Sequence, residues 1–183
     1  MSAIFLLGFM GSGKSAVARA LSRQLDWPLI DLDARIEQEI GVSIAEYFAS
    51  YGEEAFRQRE TRVLSRIPLQ NAVVSLGGGV PTRAQNREML QNAARMGALV
   101  VYLAATAPTL AERIRRQPGK RPLIDGAGTL DLDQTKARVE AMLDEREAFY
   151  RGCASFEVRT DEQTIPQIAS VIAARWLELH PST

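Results

Sequence analysis

The sequence predicts an α/β domain built on a mostly parallel sheet, and three observations carry that reading. Short apolar runs alternate with longer segments of helical period along the 183 residues. The runs Val73-Val74 and Leu99-Val100-Val101-Tyr102-Leu103 are continuous rather than alternating, as expected of strands covered by helices on both faces. The first apolar run, Ile4-Phe5-Leu6-Leu7, leads directly into the glycine-rich turn Gly8-Phe9-Met10-Gly11-Ser12-Gly13-Lys14-Ser15.

Taken in order, the first strand spans 3–8, and the glycine turn after it opens a helix over 14–25. A short strand at 29–31 leads to helices at 34–40, 44–50 and 53–66. The third strand, 72–76, runs into Gly77-Gly78-Gly79-Val80-Pro81, after which a helix covers 83–96. The apolar run 99–103 gives the fourth strand and 109–116 a helix. Residues 117–129 are rich in glycine, proline and charge, a composition that suits an active-site lid, and the lid as a whole is expected over 113–132. Helices at 133–150 and 165–179 flank a fifth strand at 156–158.

With 46% hydrophobic and 24% charged residues, the chain is expected to form a single domain over 1–183. Lysine plus arginine balances aspartate plus glutamate at 22 each, so no global positive field draws nucleic acid or an acidic membrane surface. Anion binding must then be local. The first residues carry no signal-peptide or membrane-span pattern, and a cytoplasmic protein is expected. The single cysteine, Cys153, reads as a buried filler, and the single histidine, His180, as part of a frayed tail. General-base chemistry therefore falls to a carboxylate or a lysine.

Gly8-x4-Gly13-Lys14-Ser15 is a Walker A pattern in the strand-turn-helix setting that it requires. Backbone N–H groups of such a turn curl around phosphate oxygens and the helix N-terminus adds a favourable dipole. Lys14 reaches the β- and γ-phosphates of ATP, and Ser15 can ligate Mg²⁺. In Asp31-Leu32-Asp33, residues two apart in an extended chain point to one side, which would put both carboxylates above this loop. One can hold Mg²⁺ through water and the other can take the proton of an acceptor hydroxyl. The competing use of Asp33 is to N-cap the helix at Ala34, and the two uses are compatible.

Arg57 and Glu60 stand three apart on a helix, either as a surface ion pair or as a carboxylate grip whose guanidinium fork the glutamate steadies. The glycines 77–79 remove side chains where a ligand or γ-phosphate could approach the backbone. Arg121 in the lid and Arg146 near a helix end complete the set of candidate anion clamps. From these residues alone the chain reads as a kinase that phosphorylates a small anionic alcohol.

The joint pattern resembles the shikimate kinases nearly end to end. It rests on the Walker A residues, on Asp31-Leu32-Asp33, Ser43-Ile44-x2-Tyr47-Phe48 and Phe56-Arg57-x2-Glu60, and on Gly77-Gly78-Gly79, Arg121-Pro122-Leu123 and Arg146-x3-Tyr150. The resemblance implies a P-loop NTPase fold with a five-stranded parallel sheet in order 2-3-1-4-5, a lid, and a substrate-binding region within 34–66. It implies a shikimate kinase acting with ATP and Mg²⁺, most simply as a monomer with small molecules as its only partners.

The catalytic residues implied are Asp33 as base, Lys14 and Arg121. ATP would be held by Gly11, Ser12, Gly13, Lys14, Ser15, Ala16, Arg113 and Arg121, and Mg²⁺ by Ser15 and Asp31. Shikimate would meet Asp33, Arg57, Glu60, Gly78, Gly79 and Arg146, within an apolar wall of Phe48, Phe56, Pro122 and Leu123. The family's adenine-stacking arginine falls formally on Ile114, and a one-residue shift in the lid assigns it to Arg113. The adenine loop is expected near Arg159-Thr160-Asp161. The rival with a different acceptor is a gluconate kinase, which would keep the Walker A loop without Arg57, Glu60 and Arg146 together.

Overall fold

β1 (Ala3–Leu7) has no exposed residue, and its position explains why: it lies at the centre of the sheet. It pairs in parallel with β3 (Ala72–Ser75) on one side and β4 (Leu99–Ala104) on the other, with Phe5 opposite Val74 and Val100. β2 (Leu29–Asp31) and β5 (Phe156–Arg159) form the edges, giving the expected order β2-β3-β1-β4-β5 with every pairing parallel. The structure is a computed structural model and describes residues 3–68, 70–116 and 131–181.

Side chains alternate across the pleat, so the sheet feeds two cores. Ile4, Leu6, Val73, Val101 and Leu103 pack with α1 (Lys14–Leu25) and the C-terminal helix α7 (Ile165–Leu179). Phe5, Leu7, Val74, Val100 and Tyr102 face the other way. There they meet α2 (Leu32–Ile40), α3 (Ile44–Leu64), α4 (Ala84–Arg95), α5 (Ala107–Arg115) and α6 (Leu132–Cys153). Cys153 is buried in this second core, as expected for a filler.

The helices expected at 44–50 and 53–66 form one element, α3, broken at Gly52 (φ 79°, ψ 172°). That non-helical backbone separates two helices, as the sequence led one to expect, and a glycine adopts its positive φ because it carries no Cβ. Ser43 and Glu46 close a capping box at its start. His180 departs from the frayed tail expected of it. Its ring stacks on Trp176 at 3.6 Å, and its Nδ1 and Nε2 lie 3.1 and 3.0 Å from the carbonyl oxygens of Trp176 and Gly97. The lid expected over 113–132 overlaps both neighbouring helices: 113–115 close α5 and Leu132 opens α6. Residues 117–129 with Arg121, Pro122 and Leu123 lie outside the described residues.

Because all five strands run the same way, the loops at their carboxyl ends gather along one edge of the sheet. The Walker A turn, Gly77 to Gly79 and Thr160 follow strand ends on that edge, and Asp31 is the last residue of β2 there.

Candidate active site

A cleft of about 670 Å³ opens on that edge, within the range of small-molecule sites. Its lining includes Gly11 to Ala16, Asp33, Phe48, Phe56, Arg57, Glu60, Gly77 to Gly79, Arg113 and Arg146. The expected catalytic, nucleotide and shikimate residues among the described ones line this cleft, Asp31 reaches it through Ser15, and of the expected adenine loop Thr160 lines it while Arg159 and Asp161 do not.

The glycine turn supplies the phosphate end. Gly11 and Gly13 take φ of 81° and 95°, conformations that a residue with a Cβ rarely adopts. Nζ of Lys14 donates to the carbonyls of Gly8 and Phe9 at 2.8 and 2.9 Å, which ties its ammonium to the start of the loop. Ser12 is buried and its hydroxyl has no hydrogen-bond partner among the described residues.

Ser15 Oγ donates to Asp31 Oδ2 at 3.2 Å and lies 3.4 Å from Ser75 Oγ. Hydroxyl and carboxylate oxygens are the donor type that Mg²⁺ prefers, so these residues fit that cation. The other oxygen of Asp31, Oδ1, accepts from the N–H of Ala34 at 3.3 Å. Asp31 is therefore the N-cap of α2 and Asp33 is not. The extended geometry expected through Asp33 ends two residues earlier, at the cap Asp31, and the first helical turn carries Asp33 to the cleft wall. There burial, and next the negative charge of Asp31, raise its carboxyl above the usual carboxylate range, while Lys14 and Arg57 oppose the shift.

Arg57 and Glu60 form no surface pair. Both are buried; Nη1 of Arg57 donates to Glu60 Oε1 and Oε2 at 2.9 and 3.1 Å. Its Nε and Nη2 donate to Glu53 at 3.2 and 3.1 Å, so α3 grips the guanidinium from both sides. Burial outweighs the attraction of Arg57 and pushes the Glu60 carboxyl up to about 7.

Each glycine after β3 answers to a different neighbour. A Cβ on Gly77 would stand 2.7 Å from Asp33 Oδ1 and 3.0 Å from Glu60 Oε1. One on Gly78 would press the Met10 nitrogen at 3.3 Å, and one on Gly79 would collide with the Arg57 guanidinium. The phenol of Tyr150 donates to the Gly78 carbonyl at 2.6 Å, one helical turn beyond Arg146 on α6.

At the far end Arg113 donates to Thr160 Oγ1 at 3.0 Å and to the Thr160 carbonyl at 2.5 Å. The arginine and the loop that the sequence pairs with adenine are thus in contact. Ile114 is buried beneath Gly11, where a Cβ would lie 3.2 Å from its Cγ1, so it does not face the cleft. The rings of Phe48 and Phe56 lie 4.7 Å apart, tilted by 40°, and line the cleft as well. Sequence reasoning missed Ser75, Glu53, the donor role of Tyr150, and Arg19, Gln163, Ile165 and Ile168 along the cleft. Only Tyr150 left a signal, its spacing of four from Arg146.

The shikimate kinase family model matches residues 10–176. The chain belongs to the shikimate kinase family. A shikimate kinase from Enterococcus faecalis is 34% identical over 173 residues, covering 94% of this chain and 96% of its own length. One from Chlorobium chlorochromatii is 40% identical over 167 residues, or 90% and 85%. Among solved structures, shikimate kinase from Acinetobacter baumannii in complex with shikimate superposes with a TM-score of 0.87 at 30% identity, over 98% of this chain and 95% of that one. The family expectation for the fold is therefore met in both sheet order and flanking helices. Among the described residues no helix is long and apolar enough to cross a membrane.

Proposed function

We propose that the chain transfers the γ-phosphate of ATP to the 3-hydroxyl of shikimate. The observation that carries the reading is one cleft in which a Walker A loop and the Asp33 carboxylate meet an arginine that α3 holds from two sides. A kinase needs the first two; an acceptor with a carboxylate needs the third.

Arg57 and Arg146 would bind the shikimate carboxylate, with Phe48 and Phe56 against the ring and Gly78 and Gly79 offering backbone to its hydroxyls. Glu60 steadies Arg57. Asp33 would orient the 3-hydroxyl and take its proton as the oxygen bonds to phosphorus and the bond to ADP breaks. Its raised proton affinity supports this, since a base must be strong enough to accept the proton that the new ester releases. Lys14 would follow the charge as it moves from the γ-phosphoryl group to the leaving ADP, and Arg121 would join it from the lid. Ser15 and Asp31 would hold Mg²⁺, which when bound offsets phosphate charge. Arg113, fixed on Thr160, would cover the adenine. The reading includes a monomer, and dependence on ATP and a small metabolite supports a cytoplasmic setting.

Measuring ADP release with ATP and either shikimate or gluconate tests the reading. Turnover that depends on shikimate is expected; a clear preference for gluconate would overturn it.

A further inference from the structure

Tyr150 is buried deeply for a residue that carries a hydroxyl, with 1% of its surface exposed. Its ring stacks on Tyr102 of β4, centroids 5.2 Å apart and planes 19° from parallel, so both the sheet and α6 fix its direction. That direction aims the phenol at the Gly78 carbonyl, at 2.6 Å, while the Arg146 guanidinium hydrogen-bonds the phenol oxygen.

The acceptor sits between the two halves of the cleft. The α-carbon of Gly78 abuts the phosphate loop at Met10, and that of Gly79 abuts the Arg57 guanidinium. In a trans peptide the C=O of one residue and the N–H of the next point in opposite directions, and there is no cis bond here. Holding the Gly78 carbonyl against α6 therefore turns the Gly79 N–H away from α6. Gly79 lines the cleft, and its N–H donates to no protein acceptor among the described residues.

We propose that Tyr150 is a substrate-positioning residue, whose phenol locks the Gly78–Gly79 peptide so that the Gly79 N–H faces the acceptor alcohol. The proposal rests on the reading of the cleft as the shikimate site. Tyr150 acts through the peptide and touches no reacting atom. Burial raises the pKa of the phenol well above its ordinary value, so it stays a donor across the working pH range. Glycine at 78 and 79 makes the lock necessary, since two residues without side chains leave a peptide free to rotate.

Tyr150→Phe removes the donor and keeps the ring on Tyr102. The KM for shikimate should rise about fivefold to tenfold, the loss of one oriented hydrogen bond, while the KM for ATP stays at its wild-type value. A purely structural role would lower the melting temperature without separating the two constants. In ¹⁵N-labelled protein without ligand, the Gly79 amide resonance should broaden or move in the variant. Wild-type constants for both substrates in Tyr150→Phe would overturn the assignment of Tyr150 alone. Failure of the wild-type protein to use shikimate would instead overturn the functional reading beneath it, and the proposal with it. Should the variant fold poorly, amide exchange of Gly79 in the wild-type protein decides: slower exchange with shikimate bound supports the proposal, and unchanged exchange overturns it.

Discussion

The guanidinium of Arg57 lies flat over the α-carbon of Gly79, occupying the place where any side chain at 79 would begin. Nη1, Nη2 and Cζ all crowd that point, so the face of the fork, not its tip, meets the backbone. Glu60 and Glu53 hold the fork in this pose, and Gly79 gives it room. A change at residue 79 is therefore a change in the aim of Arg57.

Gly79→Ala should displace Arg57 and weaken shikimate binding by about tenfold or more, the scale of a lost charge-assisted contact. Nucleotide affinity should stay near wild type, because the Walker A loop touches Gly78 rather than Gly79. Calorimetric titration with each ligand separately checks both halves.

Asp33→Asn keeps the size of the side chain and removes the proposed base. Turnover should fall by about 10² to 10⁴, the usual contribution of a positioned general base, with ATP affinity close to normal. Because burial raises the Asp33 carboxyl, the acid limb of the wild-type kcat/KM profile should lie above the ordinary carboxylate range, activity declining as pH falls and the base is protonated. The variant should lose that limb. A fall in nucleotide affinity instead would reassign Asp33 to the phosphate site.

Glu60 ties stability to pH. Its folded value of about 7 exceeds the ordinary 4.5, so between these values the folded protein holds a proton that the unfolded chain has lost. The contribution of Glu60 to stability is therefore fully present below about 4.5 and declines as pH rises towards about 7. The difference in melting temperature between wild type and Glu60→Gln should shift against the wild type across that window and level off above it. Glu60→Ala, which leaves buried Arg57 with only half-exposed Glu53, should cost about 3 kcal/mol in urea unfolding.

Asp31 caps α2 and is proposed to hold Mg²⁺, and one substitution separates the two. Asn caps helices about as well as Asp, so Asp31→Asn should change stability by less than about 0.5 kcal/mol. Removing its charge should raise the Mg²⁺ concentration needed for half-maximal turnover several-fold, and chelation should abolish turnover in both proteins. An unchanged Mg²⁺ titration would detach Asp31 from the metal.

Arg113→Ala should raise the KM for ATP by about tenfold and leave that for shikimate unchanged, since Arg113 holds the Thr160 loop at the end of the cleft away from Asp33. Initial rates at saturating shikimate measure it.

The elements that the sequence announced best are those whose cause is local. The Walker A turn carries its own glycines and lysine, and the runs of β1, β3 and β4 are apolar because both faces of the sheet are covered. The break at Gly52 was legible as a gap between two helices, and the structure has a kink with non-helical backbone at that residue. Asp33 was legible as a candidate base and wrongly given the cap as an alternative, because a cap is decided by a backbone turn one or two residues away. His180 looked like tail; only the neighbouring Trp176 and the distant Gly97 turn it into an anchored ring.

By itself, then, the sequence determined the parallel α/β class, the phosphate loop and the residue types of a two-substrate kinase, all written in short-range pattern and spacing. Tertiary structure alone decided which neighbour each of the three glycines serves, that Arg57 and Glu60 are buried rather than superficial, and that Tyr150 reaches Gly78 across 72 positions of chain. Distances of that kind follow from how helices settle on the sheet, a property of the packed whole that no single stretch of sequence carries.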